Sequence, residues 1–295
     1  MSWARVGIFL SEAARERKRL RSVAETLGLP VLGSNTIRTL RALKPHATTA
    51  FILGTGASAA ELSDQELEYI QSQFSIGVNQ WILHPLIPDV YAYEVDPDVR
   101  LLQALDRPEV RDKAPHLLFL KPSRPEDLAN VSHIPEFMLK RSFLYSRVNM
   151  WTRKSANIAD DFNAISCLSS LQMNSDVLLD NGASVARLIA LCQLFDYREI
   201  VLVGVDLHST EYFWHRDPAL LDGVDLKDPI TNQSGALHET LQATNRPFPI
   251  DTYVGRVLPK FLARGRTLVV ESKSSLLANS IPVFDWGDIF PSCHD

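Results

Sequence analysis

Residues 199–205 read EIVLVGV, one carboxylate followed by six apolar or glycine residues. A strand that shows one face to water alternates apolar and polar residues, because successive side chains point to opposite faces. This run does not alternate. It needs cover on both faces, which is the setting of an inner strand in a parallel sheet. The rest of the chain offers that cover. Residues 49–53 (TAFIL), 75–78, 89–94, 116–120 and 267–271 read as further strands. Ser63 and Glu66 have capping-box spacing and open a helix that runs to Gln71. Residues 97–105, 183–195 and 251–264 read as helices, the second with Val185, Leu188, Ile189 and Cys192 at its apolar positions. Strands alternating with helices predict an α/β fold with a doubly wound, mainly parallel sheet. Residues 122–176 and 208–245 carry no clear period, and no internal repeat is visible.

Ahead of this domain, Ser11 is placed to cap a helix over 12–27 with Leu20, Val23, Ala24 and Leu27 on one face. Gly28 and Pro30 stop it, and a short helix follows at 36–43. Residues 1–48 therefore read as an N-terminal helical appendage, with 45–48 as the linker into a main domain at 49–295. The chain carries a net charge of −5, but its first 45 residues hold nine Lys/Arg and three Glu, +6, which leaves −11 for the remainder. A chain this acidic argues against a nucleic-acid partner. The basic start is either a solvated helix face or a contact for a membrane surface or anionic glycan. No apolar run nears the roughly 20 residues of a membrane helix, and no secretory signal is evident. Cys167, Cys192 and Cys293 lack metal-site or disulfide spacing, so they read as free thiols in a reducing cytoplasm.

Three segments carry chemistry. FILGTGASA fits the dinucleotide pattern GxGxxA with Gly54, Gly56 and Ala59. An NAD site also expects an acidic residue ending the second strand. Here that strand ends in Asn79 and Gln80, which disfavours NAD but lets two amides bind a ribose, a base or a sugar. A purely structural glycine turn is the alternative. Asp96 and Asp98 form a DxD, suited to a divalent cation across a diphosphate, or to a helix cap or solvated turn. VGVDLHS places Gly204, Asp206 and His208 at the carboxyl end of a strand, where open α/β sheets bind ligands. Asp206 there would hold a ribose hydroxyl or cap a turn. His208, Tyr212, His215 and His238 follow in an irregular stretch, and a neutral histidine is the natural base for a hydroxyl proton near neutral pH.

The ordered set FILGTGAS, SIGVNQ, DYREIVLVGVDLHSTEY, His238 and SSLLANSIP resembles the bacterial sialyltransferases of glycosyltransferase family 42. The likeness spans about residues 49–282 but is clear only in those patches. It is strongest in YREIVLVGVD, in SLLAN and in the 26-residue spacing from Tyr212 to His238. The resemblance implies a Rossmann-like domain, a GT-A-like variant, with a lid at about 207–250. It implies an inverting transferase that takes its sugar from a CMP-activated donor, with no metal or other cofactor. Gly54, Thr55, Gly56 and Ser58 match the first nucleotide loop, Thr55 standing where the family has Asn. Asn79, beside Gln80, matches a donor-binding Asn, and Ser184 a serine that contacts the donor. Gly204 and Asp206 lie in the patch that faces the cytidine nucleotide. Tyr212 matches one of two tyrosines that donate to the leaving phosphate, and His208 stands where the second would be. His238 matches the general base. Glu94 replaces a further donor-binding Asn, and the chain is longer between His238 and the final helix.

The sugar so implied is sialic acid, Kdo or another nonulosonate, and the acceptor is a glycan hydroxyl. The expected place is the cytoplasm, with peripheral contact at the inner face of the cell membrane; a homo-oligomer stays open. Three alternatives stand beside this reading. One is a metal-dependent transferase using Asp96 and Asp98, and another a pterin pyrophosphokinase-like enzyme. The third is a non-catalytic nucleotide-binding protein, at which Thr55 and Glu94 hint.

Overall fold

The computed structural model describes residues 3–93, 104–120, 131–149, 177–180, 183–221, 249–262 and 264–290, with Leu102, Ala129 and Leu241 besides. Its centre is an open sheet. The strands are β1 (Thr49–Leu53), β2 (Phe74–Val78), β3 (Val90–Tyr93), β4 (His116–Leu120), β5 (Ser142–Asn149), β6 (Val177–Asp180), β7 (Glu199–Val203) and β8 (Thr267–Val270). They lie in the order β6-β5-β4-β3-β2-β1-β7-β8, and every pairing is parallel. Seven strands form the main sheet. β5 pairs with β4 through its first half, and its second half takes β6 as an eighth.

The apolar runs are explained by cover on both faces. Ala50, Ile52, Ile200 and Leu202 enter one core, while their neighbours Phe51, Leu53, Val201 and Val203 enter another. Leu188, Ile189 and Cys192 of the helix Ser184–Leu194 complete the first core. Leu20 and Ala24 of α1 (Trp3–Leu27) complete the second, with Ile70 of α3 (Asp64–Ser72). The fold is thus the expected α/β, Rossmann-like arrangement. Ser63 caps α3 in a full capping box with Glu66, as its spacing predicts.

The N-terminal helices share these cores. Leu40 of α2 (Ser34–Arg41) is fully buried, and the segment before it bridges β5, Leu32 N–H donating to Leu144 C=O at 2.8 Å and Leu144 N–H to Pro30 C=O at 2.9 Å. No described helix is long and apolar enough to cross a membrane.

Several boundaries differ from the sequence expectation. α1 starts at Trp3, not after Ser11, because residues 3–10 contain no proline or capping signal to interrupt the helix. The helix expected at 251–264 breaks into α (Ile250–Thr252), π (Tyr253–Val257) and 3-10 (Leu258–Phe261) turns. Pro259 offers no N–H and crowds the preceding turn, so the α ladder cannot continue. β5 and β6 were not expected. β5 reads SFLYSRVN, whose serines, Arg and Asn hide its pairing role. Of the helix expected at 97–105, most residues lie outside the described ones, and Ala104–Asp106 is a 3-10 turn.

Candidate functional site

The chain builds β1 to β6 outward on one side, then returns to place β7 and β8 on the other side of β1. β1 and β7 are therefore the neighbours at which the winding reverses. In open α/β sheets the carboxyl ends of such a pair are where ligands bind. The glycine turn follows β1, and the Gly204 loop follows β7.

These two loops are bonded to each other. Gly54 N–H donates to Val203 C=O at 2.7 Å, and Gly56 N–H to Gly204 C=O at 2.8 Å. A Cβ on Gly54 would stand 2.6 Å from the Gly204 oxygen, and one on Gly56 2.5 Å from Asp206 Oδ2. Side chains at either position would collide with the β7 loop, so the protein's own backbone explains both glycines. Gly204 has φ +60, a left-handed value that ends β7 and favours glycine. Leu207 has φ 63 without being glycine, a conformation costing about 1 kcal/mol or more. Its buried side chain and the bonds on either side of it hold it there.

Asp206 is 4% exposed and binds the start of the turn after β1. Its Oδ2 accepts from Ser58 N–H at 3.0 Å and its Oδ1 from Ser58 Oγ–H at 2.5 Å. The carboxylate thus caps the 3-10 helix Ala57–Glu61, one of the two roles its position allowed. The SLLAN patch meets the same loop from β8. Ser275 Oγ–H donates to Val205 C=O at 2.6 Å, and Leu276 N–H to Asp206 C=O at 3.0 Å.

The β7 loop then crosses back over the turn. Gly56 bridges Tyr212, and Phe213 N–H donates to Thr55 C=O at 3.1 Å. This brings Tyr212 to the glycine turn. Its ring stacks on Trp214 at 4.4 Å. His84 supports the next residue, meeting Phe213 edge-on at 5.2 Å while stacked on Trp81 at 4.1 Å. Burial, then the nearby Arg107 charge, lowers His84 to about 4, so it stays neutral at physiological pH.

The protonation of two further histidines follows from their partners. His208 Nδ1 lies 3.2 Å from Asp206 C=O, which can only accept, so Nδ1 carries a proton. His208 can then donate to a phosphate only when its ring is doubly protonated. His215 Nδ1 accepts from Tyr212 N–H at 3.0 Å, so its neutral form carries the proton on Nε2.

Other sequence candidates stand farther off. Asn79 directly follows β2, at the carboxyl end of the strand that pairs with β1. Its φ of 46 is a left-handed value that Asn tolerates, and it opens the 3-10 turn Asn79–Leu83 that contains Gln80. Ser184 begins the helix after β6 and accepts from Arg187 Nη2 at 2.9 Å. His238, Asp96, Asp98, Glu94, Cys167 and Cys293 lie outside the described residues. Cys192 is a buried free thiol whose pKa burial pushes far up.

Sequence reasoning did not single out Glu271, the residue after β8. Burial first, and then the carboxylates of Glu66, Asp206 and Glu61, raise it to about 7. Its Oε2 is buried, and the Trp286 indole N–H offsets part of that rise. The only sequence signal is a carboxylate directly after the apolar strand TLVV. In comparisons with known proteins, no family model matches the chain, and no curated protein matches it either.

Proposed function

We propose that the protein is an inverting glycosyltransferase that takes a sialic acid, Kdo or related nonulosonate from a CMP-activated donor. The supporting observation is the meeting of three sequence patches at the carboxyl ends of β1 and β7. The glycine turn after β1, the β7 loop as far as Tyr212, and the SLLAN turn are far apart in sequence and hydrogen-bonded in space. Those are the patches that carry the family resemblance. In this reading the donor lies at the carboxyl ends of β1 and β7. Asn79, at the carboxyl end of the neighbouring β2, binds the donor. Tyr212, with His208 in its doubly protonated form, donates to the phosphate as CMP departs. Such bonds act where negative charge develops, often the largest catalytic contribution. The acceptor oxygen bonds to the anomeric carbon and loses its proton to His238. The anomeric carbon–oxygen bond to CMP breaks, its electron pair staying on the phosphate oxygen.

The Ser58–Asp206 contact favours a second reading, in which the turn is only structural and no nucleotide rests on it. Thermal unfolding with CMP, UDP and NAD separates the two. A ligand at one hundred times its Kd stabilises the native state by about 2.7 kcal/mol. CMP is expected to raise Tm, with UDP and NAD having less effect and EDTA none. Stabilisation by NAD equal to that by CMP overturns the donor assignment. A Tm unmoved by any of the three favours the structural turn, and CMP binding that needs Mn²⁺ favours the metal-dependent alternative.

A further inference from the structure

Two segments assigned above to the donor come from distant parts of the chain. The turn Asn79–Leu83 follows β2, and Tyr212 precedes the short helix Phe213–Arg216 at the end of the β7 loop. Buried rings join them. Phe213 reaches from the β7 loop into the β2 turn, its ring centre 5.6 Å from that of Trp81 and 5.2 Å from that of His84. His84 in turn lies flat on Trp81, 4.1 Å away and 17° from parallel. The three rings form one packed knot, none more than 6% exposed. The knot is fastened on both sides. On the β2 side, Trp81 Nε1–H donates to Leu86 C=O at 3.0 Å, and Leu86 N–H donates to His84 Nδ1 at 3.0 Å. Arg107 Nη2–H donates to Ile82 C=O at 2.6 Å from beyond β3. On the β7 side, Phe213 N–H donates to Thr55 C=O at 3.1 Å, which ties the knot to the glycine turn.

Histidine meets two demands at this place. A Phe at 84 would pack on Trp81 and Phe213 but leave the buried Leu86 N–H without its acceptor. An Asn would supply an acceptor but no ring. His84 can accept from Leu86 only while Nδ1 is unprotonated, the form that its burial and the Arg107 charge keep at physiological pH. The geometry points to His84 as a positioning residue of the donor site: its ring joins the turn that begins at Asn79 to the loop that carries Tyr212, and so sets the gap between them, a role that rests on the CMP-donor reading. A donor that touches both segments needs that gap fixed. Packed rings fix it because close-packed interiors resist small displacements.

Two replacements of His84 separate its tasks. His84→Asn keeps an acceptor near the place of Nδ1 and removes the ring, whereas His84→Phe keeps a ring and removes the acceptor. CMP affinity is read by titration calorimetry, at a temperature where unfolding curves show each variant native. His84→Asn is expected to weaken CMP binding about 3–30-fold, and His84→Phe to stay within about twofold of wild type. Phe213→Leu loosens the knot from the other side and should behave like His84→Asn. Met138→Ala truncates the same core beside β4 and should lower Tm without moving CMP affinity. If His84→Phe does not fold, Phe213→Leu against Met138→Ala makes the same comparison. Hydrogen exchange of the free protein needs no ligand: His84→Asn should speed exchange of the Phe213 amide, on a different loop. Affinity kept in His84→Asn and lost in His84→Phe overturns the role, because only the Leu86 bond then matters. Phe213→Leu that binds CMP like wild type overturns it too. Wild type that binds no CMP overturns the donor reading and the role within it, while unchanged exchange at Phe213 in His84→Asn overturns the joint alone.

Discussion

His238→Ala is expected to slow single-turnover sugar transfer by about 10²–10⁴-fold at saturating donor, the usual contribution of a positioned general base. Affinity for CMP should stay close to that of wild type, because in the proposed mechanism the base acts on the acceptor and not on the nucleotide. The pH profile of transfer should also lose its lower limb, which reports deprotonation of the imidazole. Tyr212→Phe should behave differently. In the proposed mechanism it removes a donor to the leaving phosphate, so it should slow transfer and weaken CMP binding together. His215 is a poor substitute base, since its Nδ1 is already the acceptor for Tyr212 N–H. Rates for wild type and His238→Ala within about threefold of each other remove His238 from the role, and Glu239 is then the next residue to replace.

The parts of the fold that were legible in the sequence are those where one strong local signal coincides with the tertiary need. TAFIL and EIVLV are apolar on both sides because alternate residues enter two cores, and periodicity reads that directly. Ser63 and Glu66 cap α3 through bonds that span three residues, so spacing alone reveals them. β5 was illegible because its polar residues sit where the sheet nears its far side and two neighbours each take half the strand. The site was legible as a set of patches but not as a mechanism of holding. GxGxxA predicts glycines that yield to a phosphate, whereas Gly54 and Gly56 yield to Gly204 and Asp206. Nothing local in FILGTGAS reveals a partner 148 positions away, such as Asp206 is for Ser58.

That long-range closure also shapes what the site can do. Gly204 and Leu207 both hold left-handed backbone, and the SLLAN turn fixes the segment between them through Val205 and Asp206 carbonyls. A loop so bound from two sides is stiff. His208, which follows it directly, and Tyr212, bridged to Gly56, are therefore carried at set positions relative to the β1 turn. In the proposed role as phosphate donors, they would not need to reorient as charge develops.

Glu271→Gln is expected to stabilise the protein at pH 8 and to leave it unchanged at pH 4. The carboxyl is raised from 4.5 to about 7, so the folded chain holds its proton more tightly than the unfolded chain does. Its contribution is fully present below pH 4.5 and is lost as pH rises through about 7. At about 1.4 kcal/mol per unit, the loss amounts to roughly 3 kcal/mol at alkaline pH. Gln keeps the neutral shape and never bears the charge among Glu66, Asp206 and Glu61. His84 acts with the opposite sign. It is lowered from 6.5 to about 4, so its contribution is present above pH 6.5 and is lost as pH falls toward 4. Between pH 4.5 and 6.5 the two slopes offset, and these two groups leave wild-type stability nearly flat there. Glu271→Gln should unmask the histidine, so that the variant loses stability on acidification from pH 6.5 where wild type does not. His84→Gln should unmask the carboxyl, giving a protein that grows more stable from pH 7 down to 5. Urea unfolding at pH 4, 5, 6.5 and 8 reads all three curves. A gain for Glu271→Gln that is the same at pH 4 and pH 8 would show that Gln improves packing and that the buried carboxyl is not what the alkaline loss reports.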